Sequence, residues 1–290
     1  MDQARKRSLL IYLVKRLFKE RVDNGGFMHP KLRELLPVRE ALDADADPSL
    51  LAGTSTEQLW LAFRAFVNVR EPWQADAALL AAQDELLQGL IAETGVTKIA
   101  AAAASPPDPH LRLWRGDITT LAADAIVNAA NDGMTGCWAP LHYCIDNAIH
   151  TFAGIQLRLE CARLMRKQGH PEPTGHAKLT AAYNLPARHI IHTVGPVANG
   201  CPTQEHRAQL ASCYLACLDA AAQADDASIA FCCISTGVFG FPPDEAAPIA
   251  VETVRTWLAE RDAADQPAPT VIFNVFSAED EKRYAGLLGV

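Results

Sequence analysis

The residues best suited to chemistry lie in one short segment, residues 137–144, which carries two thiols and an imidazole: Cys137, His142 and Cys144. Cysteine thiolate and neutral imidazole are ligands that Zn²⁺ prefers. Three protein ligands leave a fourth tetrahedral position for water or substrate, an arrangement typical of catalytic rather than structural zinc sites. We therefore expect one zinc ion per chain, bound by these three side chains.

The remaining cysteines have a simpler interpretation. Buried free thiols are ordinary core residues, and five of the eight cysteines lie in helical patterns or in an apolar run: Cys161, Cys213, Cys217, Cys232 and Cys233. We expect these five to be inert. Eight cysteines without a regular framework, in a chain of 290 residues, fit a reducing cytoplasm better than a secreted disulfide scaffold.

Composition sets the broad class of the protein. A hydrophobic content of 49% without a long apolar span predicts a soluble globular protein with no membrane segment. The basic start of the chain is followed by returning charge and no cleavage site, so we expect no signal peptide. A formal net charge of −8 argues against general nucleic-acid binding. An anionic ligand would have to be held by backbone amides and helix N-termini.

The first third of the chain predicts a small helical domain. Apolar residues recur at helical spacing in four segments: 5–22, 31–42, 55–70 and 75–93. The stretches 24–26 and 43–53 are rich in turn residues. Residues 100–109 contain three prolines, which cannot continue a helix, so they predict a linker. This places a domain boundary between residues 1–104 and 105–290.

After that boundary, strand-like and helix-like segments alternate, which predicts an α/β fold with a central sheet covered by helices on both faces. The expected strands are 111–114, 125–127, 178–183, 189–193, 229–234 and 271–276, and the expected helices are 144–168, 204–224, 244–261 and 278–287. Ligand loops should follow the carboxyl ends of strands. The loops 128–144 and 235–243 meet that expectation, although a glycine-rich turn can equally be a tight strand-to-helix connection.

Four motifs, in this order, carry a resemblance to the macrodomains, the ADP-ribose-binding family: Gly116-Asp117-Ile118-Thr119, Asn128-Ala129-Ala130-Asn131, the helix start Ile145-Asp146-Asn147-Ala148, and the loop 235–242. Residues 137–144 replace the glycine-rich run of ordinary macrodomains and resemble the zinc-containing branch that hydrolyses protein ADP-ribose linkages. The helical first third also resembles the N-terminal extension of that branch. The resemblance implies a three-layer α/β/α macrodomain with a central mixed sheet.

The resemblance also implies substrate-binding roles. Asp117 should accept a hydrogen bond from the adenine amino group, with the Ile118 amide beside it; a helix N-cap is the alternative role for this aspartate. The loop that we name the diphosphate loop, residues 235–241, should wrap the diphosphate with its backbone amides; it comprises Ser235, Thr236, Gly237, Val238, Phe239, Gly240 and Phe241. Phe239 or Phe241 would cover an apolar face of the ligand, or serve only as a packing anchor.

Around the distal ribose, the resemblance implies two catalytic residues, Asn131 and Asp146. Asn131 should contact the ribose hydroxyls, while Asn128 supports the loop from beneath. Asp146 aligns with a carboxylate that related zinc-free hydrolases use; a hydrogen bond to the His142 imidazole is the competing role. His150 is expected to be structural. Trp138 would exclude water or position the substrate, or pack as an ordinary loop aromatic.

These expectations combine into a zinc-dependent hydrolase that removes mono-ADP-ribose from modified proteins. The metal would polarise an oxygen or acidify a bound water. Two alternatives remain open: a module that binds ADP-ribose without turnover and uses zinc to brace its loop, and a hydrolase of a small ADP-ribose derivative. Only an enzyme would release free ADP-ribose in a zinc-dependent way.

Overall fold

The computed structural model describes residues 1–26, 29–35 and 53–290. These residues form two compact units, each made of two chain segments. The helical unit comprises Met1–Gly95 and Thr135–Ala162, and the sheet unit comprises Val96–Met134 and Arg163–Val290. Among the described helices, none combines the length and the apolar character that a membrane span requires.

The helical unit contains the four predicted N-terminal helices and the region around residues 137–144. Its helices are α1 (Gln3–Asp23), α2 (Pro30–Leu35), α3 (Thr56–Asn68), α4 (Ala77–Thr94), α5 (Ile145–Ala153) and the start of α6 (Ile155–Gln168). Residues 36–42 of the predicted second helix, and most of the predicted turn 43–53, lie outside the described residues.

Helical periodicity explains why these segments pack together. Leu10, Leu13 and Leu17 share one face of α1 and join Phe63 and Phe66 of α3 in a single buried cluster. Three of these helices also begin at a residue that satisfies their first amides: the side chain of Asp2 caps α1, Asp76 caps α4, and Ser55 with Gln58 forms a capping box on α3. For α3, the capping residues and the apolar face therefore predict the same helix, which makes its formation favourable at both levels.

The sheet unit is built on a seven-stranded mixed sheet in the order β2-β3-β9-β8-β5-β7-β6. The strands are β2 (Ala103–Ser105), β3 (Asp108–Arg115), β5 (Ala125–Ala130), β6 (Ala177–Ala181), β7 (His189–Val194), β8 (Ser228–Phe231) and β9 (Thr270–Val275). The five central strands, β3, β9, β8, β5 and β7, are parallel to one another. The edge strands β2 and β6 are each antiparallel to their neighbour. Two further short strands, β1 (Thr97–Lys98) and β4 (Leu121–Ala122), pair with each other.

Three helices of the sheet unit pack in a row: α7 (Gln204–Gln223), α8 (Pro243–Ala263) and α9 (Ala278–Leu288). α7 contacts β6 and β7, and α9 contacts β3 and β9. The strands that they cover are almost continuously apolar and buried, as in 228–231 and 271–275, which is the pattern of central parallel strands. The predicted α/β class, with a mixed sheet after a helical N-terminal region, is confirmed.

Two local predictions were wrong. The predicted linker 100–109 instead forms a 3₁₀ turn and the hairpin of β2 and β3, with Pro106 and Pro107 in its turn. The single helix predicted over 144–168 is two helices, because Gly154, with a φ of 101°, ends α5. The predicted domain boundary between residues 104 and 105 stays a prediction. The compact units divide the chain differently, because residues 135–162 belong to the same unit as the N-terminal helices.

Candidate active site

Three of the predicted substrate-binding segments begin where parallel strands end. Asp117 lies two residues after β3, Asn131 directly follows β5, and the diphosphate loop follows β8. β3, β9, β8 and β5 are neighbours and run in the same direction, so their carboxyl ends meet at one edge of the sheet. That edge is where open α/β sheets bind ligands. The sheet unit thus brings together the residues expected to hold the adenine, the diphosphate and the ribose.

Asp117 fulfils the N-cap role that its sequence context allowed. Its Oδ1 atom accepts hydrogen bonds from the Thr119 amide at 2.9 Å and from the Thr119 hydroxyl at 2.7 Å, at the start of the 3₁₀ turn Ile118–Thr120. Asp117 is exposed, whereas Ile118 is buried. A carboxylate has two oxygens with several acceptor positions. Capping therefore leaves Asp117 able to accept a further hydrogen bond from a ligand.

The diphosphate loop presents backbone amides to solvent. The Phe241 amide donates to the Ser235 carbonyl oxygen at 2.9 Å and closes the loop. Across the described part of the chain, no acceptor is found for the consecutive amides of Gly237, Val238 and Phe239, and the first two of these residues are exposed. Successive N–H groups that point outward form an anion-binding concavity. Neutral donors of this kind explain how a chain of net charge −8 can hold a dianion.

A second loop, residues 195–200, braces the diphosphate loop, and sequence reasoning missed it. It follows β7, the neighbour of β5, and its Ala198 amide donates to the Phe239 carbonyl oxygen at 2.8 Å. A Cβ atom at Gly195 would collide with the hydroxyl of Ser235, a residue with a φ of 65°. The Gly-Pro pair directly after an apolar strand was the available signal.

The aromatic residues of this edge differ in exposure. Phe241 is buried, with 1% of its surface accessible, which favours the packing-anchor role; Phe239 is partly exposed. Phe276, directly after β9, is 81% exposed at the same edge of the sheet, and sequence reasoning did not single it out. The available signal was an aromatic residue at the end of an apolar strand. That strand, β9, lies in the sheet between β3, which precedes Asp117, and β8, which precedes the diphosphate loop. The Thr236 hydroxyl donates to the Cys233 carbonyl oxygen at 3.0 Å and so supports the loop.

The two asparagines after Val127 have different environments. Asn131 is partly exposed, and its Oδ1 atom accepts a hydrogen bond from the Gly133 amide at 3.0 Å. Asn128 is fully buried and its Nδ2 atom lies 3.1 Å from His192 Nδ1, while Thr180 Oγ1 lies 3.0 Å from Nε2 of the same ring. Burial lowers the pKa of His192 to about 3, so the ring is neutral. Asn128 is thus buried against His192, whereas Asn131 is partly exposed; the roles predicted for both residues stay predictions.

The predicted metal ligands converge in the helical unit. One ligand atom from each of Cys137, His142 and Cys144 lies within 4.8 Å of the others, and Cys137 Sγ is 3.3 Å from His142 Nδ1. In a tetrahedral zinc site with bonds of about 2.0–2.3 Å, ligand atoms are separated by roughly 3.3–3.8 Å. Both the donor types and their spacing therefore fit a zinc ion. We name residues 137–144 the metal loop.

The local electrostatics favour a thiolate in this loop. A hydrogen bond from the Cys144 thiol, followed by one from the Ala139 amide, lowers the pKa of Cys137. The same hydrogen bond, together with burial, raises the pKa of Cys144, so a negative charge on Cys137 disfavours a second one on Cys144. Cys144 is also the N-cap residue of α5. The positive end of that helix would stabilise its thiolate when a metal displaces the proton.

Other side chains of the helical unit hold the metal loop. The Arg158 guanidinium lies 4.5 Å from the centre of the Trp138 ring, and the indole N–H donates to Thr135 Oγ1 at 3.1 Å. Trp138 is 38% exposed, so it both packs and faces solvent. Gly136 has a φ of 85°, and a Cβ atom there would approach the His150 ring to 2.9 Å. A side chain at that position would push the loop away from α5.

Asp146 lies in the first turn of α5 and is buried, with 5% of its surface accessible. One of its carboxylate oxygens lies 3.6 Å from His150 Nε2. His150 is itself buried in the same helix, as expected for a structural residue. The choice between a catalytic role for Asp146 and a contact with His142 stays a prediction.

The remaining cysteines behave as predicted from their sequence context. Cys161, Cys213, Cys217 and Cys232 are buried, and burial raises the pKa of each thiol. Cys233 is partly exposed, but burial again raises its pKa. A protonated buried thiol is a poor metal ligand and a poor nucleophile. Cys137 and Cys144 of the metal loop are partly exposed and share the His142 imidazole, whereas Cys161, which lies near His150 and His192, is buried together with both rings.

Comparison with known proteins identifies the family to which this chain belongs. The Macro domain family model matches residues 127–250. A protein-ADP-ribose hydrolase of Treponema medium is 51% identical over 227 residues, which cover 78% of this chain and 85% of that protein. A protein-ADP-ribose hydrolase of Staphylococcus aureus (strain MRSA252) is 47% identical over 247 residues, covering 85% of this chain and 90% of its own.

Solved structures agree with the sequence relatives. The Trypanosoma brucei macrodomain in complex with ADP-ribose superimposes with a TM-score of 0.59 at 31% identity, covering 78% of this chain and 95% of that one. The Oceanobacillus iheyensis macrodomain with ADP gives a TM-score of 0.56 at 36% identity, covering 62% and 90%. The chain therefore belongs to the macrodomain family, in the group of the protein-ADP-ribose hydrolases.

Proposed function

We propose that this protein is a zinc-dependent hydrolase that releases mono-ADP-ribose from modified proteins. The observation that carries the proposal is the convergence of Cys137, His142 and Cys144, three zinc-type ligands, on the loop that follows Asn131 in the chain. Relatives of 51% and 47% identity are named protein-ADP-ribose hydrolase, which supports the reaction class. The zinc requirement rests on the three ligands and not on those relatives.

The sheet unit supports ADP-ribose as the recognised group. The outward amides of the diphosphate loop suit a diphosphate, and Asp117 offers an acceptor to the adenine amino group. Phe276 offers an exposed ring next to them, on which a base can stack. Asn131 would bind the distal ribose hydroxyls through its carboxamide. The contacts to the adenine and the diphosphate would hold the substrate by groups remote from the bond that breaks, whereas Asn131 would contact the ribose that carries that bond.

Cys137, His142 and Cys144 would hold Zn²⁺, which would supply a Lewis acid able to polarise an oxygen or to lower the pKa of a water towards neutrality. Because two thiolates cancel the formal charge of the ion, positioning by the protein should matter as much as acidification. Asp146 is the carboxylate that we propose as the second catalytic residue, with Asn131 orienting the ribose. Trp138 would keep bulk water from the metal loop.

The experiment that tests the proposal uses mono-ADP-ribosylated proteins of defined linkage. Zinc-replete protein, chelated protein and chelated protein given back zinc are each incubated with substrate, and released ADP-ribose is measured. We expect release from the first and third samples, with the rate following zinc content. Binding without release in all three would identify a reader module. Equal release from the chelated sample would remove zinc from the mechanism.

A comparison of substrates separates the remaining alternative. An ADP-ribose ester of a small acid and a modified protein with the same linkage would be compared at equal concentration. A protein hydrolase should have the larger kcat/KM for the modified protein. A preference for the small ester would make the protein a hydrolase of free ADP-ribose derivatives.

A further inference from the structure

The residue before the histidine of the metal loop has an unusual backbone conformation. Leu141 has a φ of 59°, in the left-handed region that residues other than glycine rarely adopt. The next residue, His142, donates its amide to the Ala139 carbonyl oxygen at 3.2 Å, which completes a tight turn. The direction of the His142 imidazole therefore depends on what keeps Leu141 in this conformation.

The tether of Leu141 comes from the N-terminal helices. The Leu141 amide donates to Oδ1 of Asn68 at 3.0 Å. Asn68 is the last residue of α3 and only 2% of its surface is accessible. The acceptor is thus buried and the bond is partly shielded from competing water, so its loss would leave the partly buried Leu141 amide without its acceptor.

Asn68 is itself held at two further points. Its Nδ2 atom donates to Thr151 Oγ1 of α5 at 3.0 Å. Its carbonyl oxygen accepts a hydrogen bond from Arg158 Nη2 at 2.9 Å, and Arg158 is the residue that stacks on Trp138. The carboxamide is thus fixed in one rotamer, with its oxygen directed at the metal loop and its nitrogen at α5.

We infer that Asn68 is a positioning residue of the metal centre: by holding Leu141 in the left-handed conformation, it directs His142 towards Cys137. This inference rests on the proposed zinc site. Through Asn68, the N-terminal region contributes to the metal centre itself and does not serve only as a surface for protein substrates. The capping box and buried aromatic residues of α3 make that helix a rigid support.

Three substitutions in the full chain separate positioning from general stability. Asn68→Ala removes both side-chain hydrogen bonds. Of the two Asn68 side-chain bonds, Thr151→Val removes only the one to α5 and leaves the acceptor of the Leu141 amide in place; it also removes the bond from Thr151 to the Asn147 carbonyl oxygen. Asn68→Asp keeps the acceptor of the Leu141 amide, and Arg158 still binds the backbone carbonyl oxygen of the same residue. Zinc affinity is measured by competition with a chromophoric chelator, and melting temperature is measured on the metal-free protein.

We expect Asn68→Ala to weaken zinc binding by about 10- to 100-fold, as for residues that orient metal ligands. Asn68→Asp and Thr151→Val should stay within about twofold of wild-type zinc affinity, although Thr151→Val lowers the melting temperature of the metal-free protein. Wild-type zinc affinity in Asn68→Ala would overturn the inference. So would an equal loss in Thr151→Val, because the effect would then follow stability. A wild-type protein that binds no zinc would instead remove the proposed metal centre itself.

Discussion

The metal loop and the diphosphate loop are two surface segments of similar length that are built on opposite principles. The metal loop acts through side chains: two thiols and an imidazole supply its ligands, and its neighbours Arg158 and Asn68 keep those side chains in place. We propose that the diphosphate loop acts through its backbone: the amides of residues 237–239 have no acceptor among the described residues, and Gly237 and Val238 are exposed. One loop depends on residue type and the other on chain conformation.

This difference predicts how each loop responds to mutation. Removing a ligand atom from the metal loop deletes the chemistry directly, because no other atom of the loop replaces it. Removing a side chain from the diphosphate loop should matter only if the backbone changes. The two loops also serve different steps in the proposed function, since one acts on the bond that breaks and the other on the part of the ligand that stays intact.

The largest effect is expected from the metal ligands. Cys137→Ala, His142→Ala and Cys144→Ala should each lose bound zinc and abolish turnover. They should keep much of their affinity for ADP-ribose, because Asp117 and the diphosphate loop are unchanged. A loss of rate without an equal loss of binding is the signature of transition-state stabilisation. Single-turnover release, calorimetric binding and metal content are measured on each folded variant.

Cys161→Ala is the matched control for these variants, because it removes a thiol that is buried and outside the metal loop. It should retain zinc and turnover, with some loss of stability from the lost packing. Full zinc content in Cys144→Ala would show that the metal is bound elsewhere. Asp146→Asn extends the test: a catalytic carboxylate would affect rate alone, whereas a contact with His142 would also lower zinc occupancy.

The contrast between side-chain ligands and backbone conformation also explains which features could be predicted from the sequence. Cys137, His142 and Cys144 are three soft ligands within eight residues, so their spacing alone predicted that they converge. Most helices and strands were also predictable, because their apolar period is strong. The break at Gly154 was missed, since Ile155 and Leu157 continue the helical pattern on the far side of it.

What could not be predicted depends on contacts between distant segments. Residues 195–200 support the diphosphate loop through backbone hydrogen bonds; Gly195 and Pro196 indicate a turn there, but not which segment that turn contacts. The prolines at 106 and 107 indicated a break, but only pairing between β2 and β3 distinguishes a hairpin turn from a linker. Asn68 and Leu141 are separated by 73 positions, so their hydrogen bond required the fold.

The second prediction tests the far end of the ligand. Asp117→Ala should weaken ADP-ribose binding by about 1.5–3 kcal/mol, or roughly 10- to 150-fold, because a charged acceptor is lost. Zinc content should not change. The substitution also removes the cap of a 3₁₀ turn, so stability must be measured together with affinity.

Asp117→Asn resolves that ambiguity. Its carboxamide oxygen can still cap the Thr119 amide, which leaves the NH₂ group facing the adenine amino group, and two donors do not pair. We expect affinity to fall as in Asp117→Ala while the melting temperature stays near wild type. Unchanged calorimetric affinity in both variants would place the adenine elsewhere.

The smallest effect is expected in the diphosphate loop, and it tests directly whether that loop acts through its backbone. Val238 is 75% exposed, so Val238→Ala should change ADP-ribose affinity by no more than about twofold, because the amide remains. Val238→Pro removes that amide and should weaken binding by roughly 10- to 150-fold, the cost of a hydrogen bond to a charged group. Calorimetry on both variants, with zinc content as the check that the metal loop is intact, measures the difference. Equal losses in the two variants would show that the valine side chain contacts the ligand. Wild-type affinity in both would mean that the Val238 amide does not bind the diphosphate.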